Sequence, residues 1–277
     1  MNRIKIQGGR FDVYVEAILP VTRNQYWYFT TYTGVFFIAP AINKMVESMQ
    51  ENAIKGFCLI SILMFSFYGT IAQNLGGDPF GLEEGYSFVW LSVLYMIGAA
   101  VKRFQWDQKI LRNKNAKRNL VLISIGCVTI TTCWYFIVGR VTMMILGEVW
   151  GNKILMSYVS PTVLCLSVCL LALFSSMKIG NRVIPLVKFC APATFGVYLI
   201  HMQPLVAKNI ISTSFAWIAD LPGLFPILFI LLVSFAILCI CILIDRMRML
   251  IFKVCKIDEI AVQINRKIWD TTDRWCS

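Results

Sequence analysis

Seven long stretches of this chain contain no Asp, Glu, Lys or Arg. They cover residues 24–43, 56–77, 85–101, 119–139, 154–177, 189–207 and 221–244, and each is 17 to 24 residues long. A helix needs about 20 apolar residues to cross the hydrocarbon core of a bilayer. No water reaches the backbone there, so a crossing segment must pair its own N–H and C=O groups, as a helix does. The runs therefore predict an all-α, polytopic helical bundle of about seven transmembrane helices. The membrane domain is expected over 24–244, between a polar segment, 1–23, and a basic tail, 245–277. Composition agrees, with 58% hydrophobic and only 15% charged residues, against about 25% charged in soluble domains. Two shorter apolar pieces, 141–147 and 209–219, are too short to cross. They read as re-entrant, interfacial or loop-packed segments.

The net charge of +11 lies between the apolar runs. It reads as an orientation signal and a contact to membrane lipids, not as a nucleic-acid surface. With seven spans the connecting segments alternate sides. Of the 26 Lys and Arg residues, 19 fall in the 44–55, 102–118 and 178–188 loops and the tail. The positive-inside rule predicts that this side, and the C-terminus, are cytoplasmic. The N-terminal segment is then outside, although it carries Arg3, Lys5, Arg10 and Arg23 and no apolar signal-peptide core. An odd number of spans upstream would remove that conflict. Ile4, Ile6, Phe11, Val13 and Val15 form only a loose alternation.

The sixth run, 189–207, holds the chain's single histidine, His201. An ionisable residue inside a membrane span is costly and points to function. Continued as one helix, this run would place Thr194, Tyr198, His201 and Lys208 on a narrow face, so that hydroxyls and imidazole share one cavity. The alternative is a neutral imidazole bonded to a neighbouring helix for packing. Eight of the ten cysteines lie within apolar runs and read as small hydrophobic filler. No Cys-x-x-Cys pair and no Cys/His set suggests a metal. Cys276, in the tail, is a weak lipidation candidate.

The same stretch, Phe195-Gly196-Val197-Tyr198-Leu199-Ile200-His201 followed by Pro204-Leu205, resembles the C-terminal signature of the membrane-bound acyltransferase-3 family. Four more blocks resemble that family in its order. Asn24-Gln25-Tyr26-Trp27-Tyr28-Phe29-Thr30-Thr31-Tyr32 leads to Pro40-Ala41-Ile42-Asn43. Gly85-Tyr86-Ser87-Phe88-Val89-Trp90-Leu91 leads to Tyr95-Met96-Ile97-Gly98-Ala99. Tyr158-Val159-Ser160-Pro161 resembles a turn, and Ile244-Asp245-Arg246-Met247-Arg248 a family ending. The resemblance implies a bacterial cytoplasmic-membrane O-acyltransferase that takes an acyl group, typically from acetyl-CoA, to a hydroxyl of a surface glycan or lipid-linked saccharide. It also implies about ten spans with both ends cytoplasmic. The family's Arg-x10-His motif near its first helix has no counterpart, since Cys190 stands eleven positions before His201. The resemblance therefore implies a chain shortened by three helices, whose competence depends on what precedes it.

Acyl transfer needs a base for the hydroxyl, stabilisation of the oxyanion and a donor site. On this reading His201 and Tyr198 act at the acceptor or orient a catalytic group. Tyr26, Trp27, Tyr28 and Tyr32 form a sugar-stacking wall or an ordinary interfacial belt. Asn43 and Ser160 bond across helices, beside kinks at Pro40 and Pro161, and assist the substrate. Lys102, Arg103, Arg112, Lys117 and Arg118 in the 102–118 loop hold coenzyme A phosphates or anionic lipid. Asp245, beside Arg246 and Arg248, reads as a membrane-exit anchor. A transporter or flippase of a lipid-linked glycan shares the span number and the aromatic mouth, but no internal repeat supports it. A non-catalytic component completed by a partner is a third reading.

Overall fold

A chain with so few polar side chains can satisfy its backbone in lipid only by coiling, and the computed structural model is helical throughout, with no strand among the described residues. The structure describes residues 15, 18–19, 21–22, 26–223, 225–257, 259–260 and 262–263. The expected polar segment 1–23 lies mostly outside them, as does Cys276. The main elements are α1 (Trp27–Ser48), α2 (Glu51–Asn74), α3 (Phe88–Phe104), α4 (Trp106–Leu111), α5 (Ala116–Leu146), α6 (Pro161–Ser175), α7 (Ile184–His201) and α8 (Phe225–Val254). Five stretches among the described residues are long and apolar enough to cross a membrane: α2, α5, α7, α8 and Ile154–Ser175. The threonines and tyrosines of α1 dilute its apolar character, and α3 stops at 17 residues, about 26 Å of helix.

Side chains that would be buried in a soluble protein point outward here. Phe37 is 76% exposed, Phe235 66% and Met144 84%. Such surface is compatible with lipid as solvent and marks a multi-pass membrane protein.

The chain forms two compact units. Unit two, residues 27–178, packs α1, α2 and α3 around Val46, Ile54, Cys58, Met96 and Ala100. A second cluster joins Leu82 from the α2–α3 loop to Trp90 and Val93 of α3, Val159, and Leu164 of α6. Leu120 of α5 meets Cys169 and Ala172 of α6. A π-helical stretch, Ile62–Tyr68, interrupts α2. There the buried Ser66 hydroxyl donates to Val159 O at 2.6 Å. Unit one, residues 1–26 and 179–277, is built on α7 against α8.

Several expected boundaries move. The apolar piece 141–147 continues α5, which passes through Arg140 without a break. A single long basic side chain can extend its charge along the helix toward water, so it need not end a span. The piece 209–219 is irregular: a π turn over Val206–Ile211, one turn at Ser212–Ser214 and a 3-10 turn over Ala216–Asp220. Pro161 does not kink a helix. It stands at the first turn of α6, where its missing N–H costs nothing.

Candidate functional site

The sixth apolar run does not form one helix through Lys208. Helix α7 starts earlier, at Ile184, tightens into a 3-10 turn over Ala191–Ala193 at Pro192, and ends at His201. Pro192 and Pro204 supply no N–H, so neither can sit inside an unbroken ladder. The side chain of Gln203 then caps the next turn, accepting from Leu205 N at 2.7 Å and Val206 N at 3.1 Å. His201 is thus the last residue of a helix, not a residue at mid-span, and Lys208 belongs to the following π turn. Thr194 turns its hydroxyl to Ala191 O at 2.8 Å, within its own turn.

His201 Nδ1 lies 2.7 Å from Val197 O. A carbonyl only accepts, so Nδ1 carries the proton, and the lone pair of the neutral ring is at Nε2. Tyr198 stands edge-on to the imidazole, with ring centroids 6.2 Å apart. Tyr26 packs on Tyr198 at 6.1 Å and donates its hydroxyl to Leu199 O at 2.9 Å. Tyr26, Tyr198 and His201 therefore form one cluster at the C-terminal end of α7.

What fixes this helix end was missed in the sequence. Asp245 of α8 is 1% exposed and lies against the backbone of α7. A Cβ on Gly196 would fall 2.1 Å from Asp245 Oδ1, so only glycine admits the carboxylate. Arg248 Nε donates to the same oxygen at 2.7 Å, while the buried Oδ2 has no partner among the described residues. Arg246 reaches Lys188 O at 3.0 Å, bonds Phe189 O, and lies over the Phe189 ring at 4.6 Å. The expected exit anchor is thus a clamp that holds α7 on both sides of its 3-10 turn. The signal was present in the paired Gly196 and Asp245, but nothing in the sequence joins positions so far apart.

The other expected residues are spread over unit two. Trp27 meets Tyr86 edge-on at 4.5 Å, and Tyr28 stacks on Tyr32 at 5.9 Å. The aromatic block thus divides, with Tyr26 in the His201 cluster. Asn43 accepts from Tyr95 OH at 3.2 Å. Ser160 is fully buried, accepts from Val163 N as the cap of α6, and donates to Leu155 O at 2.9 Å. In the basic loop, Arg103 donates to Met49 O at 3.2 Å. Glu51 takes Lys109 at 2.8 Å and Lys55 at 3.0 Å. Lys102, Arg112, Lys117 and Arg118 are exposed, with no carboxylate partner among the described residues. No metal-binding group of His, Cys, Asp and Glu occurs among the described residues.

Residues 8–246 match a family model described as an acyltransferase domain. No curated protein and no solved structure matches the chain.

Proposed function

From a chain that belongs to the acyltransferase-3 family, we propose an O-acyltransferase of the bacterial cytoplasmic membrane, with acetyl-CoA as donor and a hydroxyl of a surface glycan or lipid-linked saccharide as acceptor. The observation that carries this reading is the family match across most of the chain. The tautomer of His201 supports it chemically. With Nδ1 bonded to Val197 O, the Nε2 lone pair can take the proton of an acceptor hydroxyl. That oxygen forms a bond to the thioester carbonyl, the C–S bond breaks, and the departing thiolate takes the proton from the imidazolium. The Tyr198 ring fixes one side of the imidazole. The uncompensated cations Lys102, Arg112, Lys117 and Arg118 suit the phosphates of coenzyme A. Their loop and the tail hold most of the basic residues outside the spans, which supports a cytoplasmic face for the donor and for the C-terminus.

The test uses membranes containing the protein, labelled acetyl-CoA and a saccharide extract. Transfer to saccharide is expected with the wild type, reduced about 10²- to 10⁴-fold in His201→Ala, the usual contribution of a general base. Full activity in the variant would remove His201 from the mechanism, and no transfer by the wild type would remove the enzymatic reading.

A further inference from the structure

Unit two contains a cavity of about 440 Å³, in the range of small-molecule sites. Its walls come from the end of α2, the Glu84–Tyr86 turn and the segment 149–158. We propose that this cavity binds a neutral, hydroxyl-rich sugar ring.

Three observations carry the assignment. The first is unmet hydrogen-bonding capacity. Thr70 and Gln73 line the cavity, and the Thr70 hydroxyl and both polar atoms of the Gln73 amide are buried without a partner among the described residues. Buried polar groups are nearly always bonded, so Thr70 and Gln73 give this wall hydrogen-bonding capacity that a side-chain rotation can offer to a polar occupant. A carboxamide both donates and accepts, as does each hydroxyl of a vicinal pair. Asn74 and the buried Asn152 bring two more amides to the same lining. The second observation is aromatic surface: Tyr86, Trp150 and Tyr158 also line the cavity, with Tyr86 and Tyr158 centroids 5.3 Å apart. Rings beside polar groups suit a ligand with C–H faces and hydroxyl edges.

The third observation is charge. Glu84 and Lys153 are the only charged residues lining the cavity among those described. A phosphate-rich ligand calls for clustered Arg and Lys, so the lining disfavours the coenzyme A end of a donor. The wall is also held in place. Glu83 and Glu84 adopt left-handed φ of 49° and 58°. Asp78 accepts from Leu82 N and Glu83 N at 2.8 and 2.7 Å, and Ser157 Oγ donates to Glu84 O at 3.3 Å. A Cβ on Gly85, itself at φ 102°, would come 2.5 Å from Tyr158 Cβ. Such backbone persists only where surroundings impose it. The walls draw on the 78–84 and 147–153 loops, whose one basic residue is Lys153. Their charge assigns the mouth to the outer face. That the bound sugar is the acyl acceptor rests on the acyltransferase reading; the binding itself does not.

The experiment titrates the full chain in nanodiscs, without acyl donor, with glucose, galactose, rhamnose and N-acetylglucosamine, read by saturation-transfer NMR. Saturable binding of at least one sugar is expected, weakened about tenfold by Gln73→Ala and by Trp150→Ala, and not displaced by coenzyme A. Trp150 is exposed, so its replacement tests the site without emptying a core; melting and elution profiles check both variants. The proposal is overturned if no sugar saturates, if both variants bind as the wild type does, or if coenzyme A displaces the sugar. Sugar binding without acyl transfer leaves the cavity standing and removes the enzyme. Acyl transfer with unchanged sugar KM in both variants overturns the cavity and keeps the enzyme.

Discussion

Two roles for His201 are separable by one substitution. Its Nδ1–H bonds Val197 O, and on the proposed acyl-transfer reading its Nε2 is the base. An asparagine places an amide N–H near the position of Nδ1 and nothing basic at Nε2. His201→Asn is therefore expected to melt within a few degrees of the wild type yet lose acyl transfer as His201→Ala does. Retained activity in His201→Asn would assign the histidine to packing. The residue type was legible from the sequence, as the one histidine in an apolar run. Its tautomer was not, because that depends on which carbonyl the ring meets after Pro204 ends the helix. Ser160 shows the same limit. The residues around it suggested a bond across helices, whereas its hydroxyl caps the turn that Pro161 begins.

At the scale of elements, the contact of α7 with α8 turns on Gly196 and Asp245. With 2.1 Å between a methyl carbon placed on Gly196 and a carboxylate oxygen, Gly196→Ala must push the two helices apart or turn the aspartate from Arg248. Overpacking of this kind costs roughly 1–3 kcal/mol. A lower melting temperature in detergent is expected, together with reduced acyl transfer, since α7 also carries Tyr198 and His201. In Asp245→Ala the same glycine replacement should cost much less. Equal losses in both backgrounds would show that the carboxylate does not crowd Gly196. The existence of these helices could be read from hydropathy, which reports solvent preference. Their ends could not, because ends are set by caps, prolines and partner helices. Arg140 inside α5 and Asp245 inside α8 are charges that hydropathy treats as boundaries and the helices do not.

For the whole molecule, the lipid-facing surface and the bundle were accessible from sequence because a membrane imposes both without regard to detail. The division into two compact units was not, since apolar runs carry no mark of which neighbour they choose. The orientation proposed from charge can be checked directly. In a background without reactive native thiols, Pro79→Cys in the α2–α3 loop is expected to react with an impermeant maleimide in intact cells. Asn113→Cys in the basic loop should react only after the membrane is opened. The reverse pattern would invert the proposed orientation of both the 102–118 loop and the cavity.

The Gly196–Asp245 contact also makes its two positions unequal in descent. Asp245 can shorten while Gly196 stays as it is, because a smaller side chain leaves room. Gly196 can enlarge without the overpacking cost only once Asp245 has shrunk. Drift through this pair is thus directional: lineages that lose the aspartate gain freedom at the glycine, and those that keep it have little.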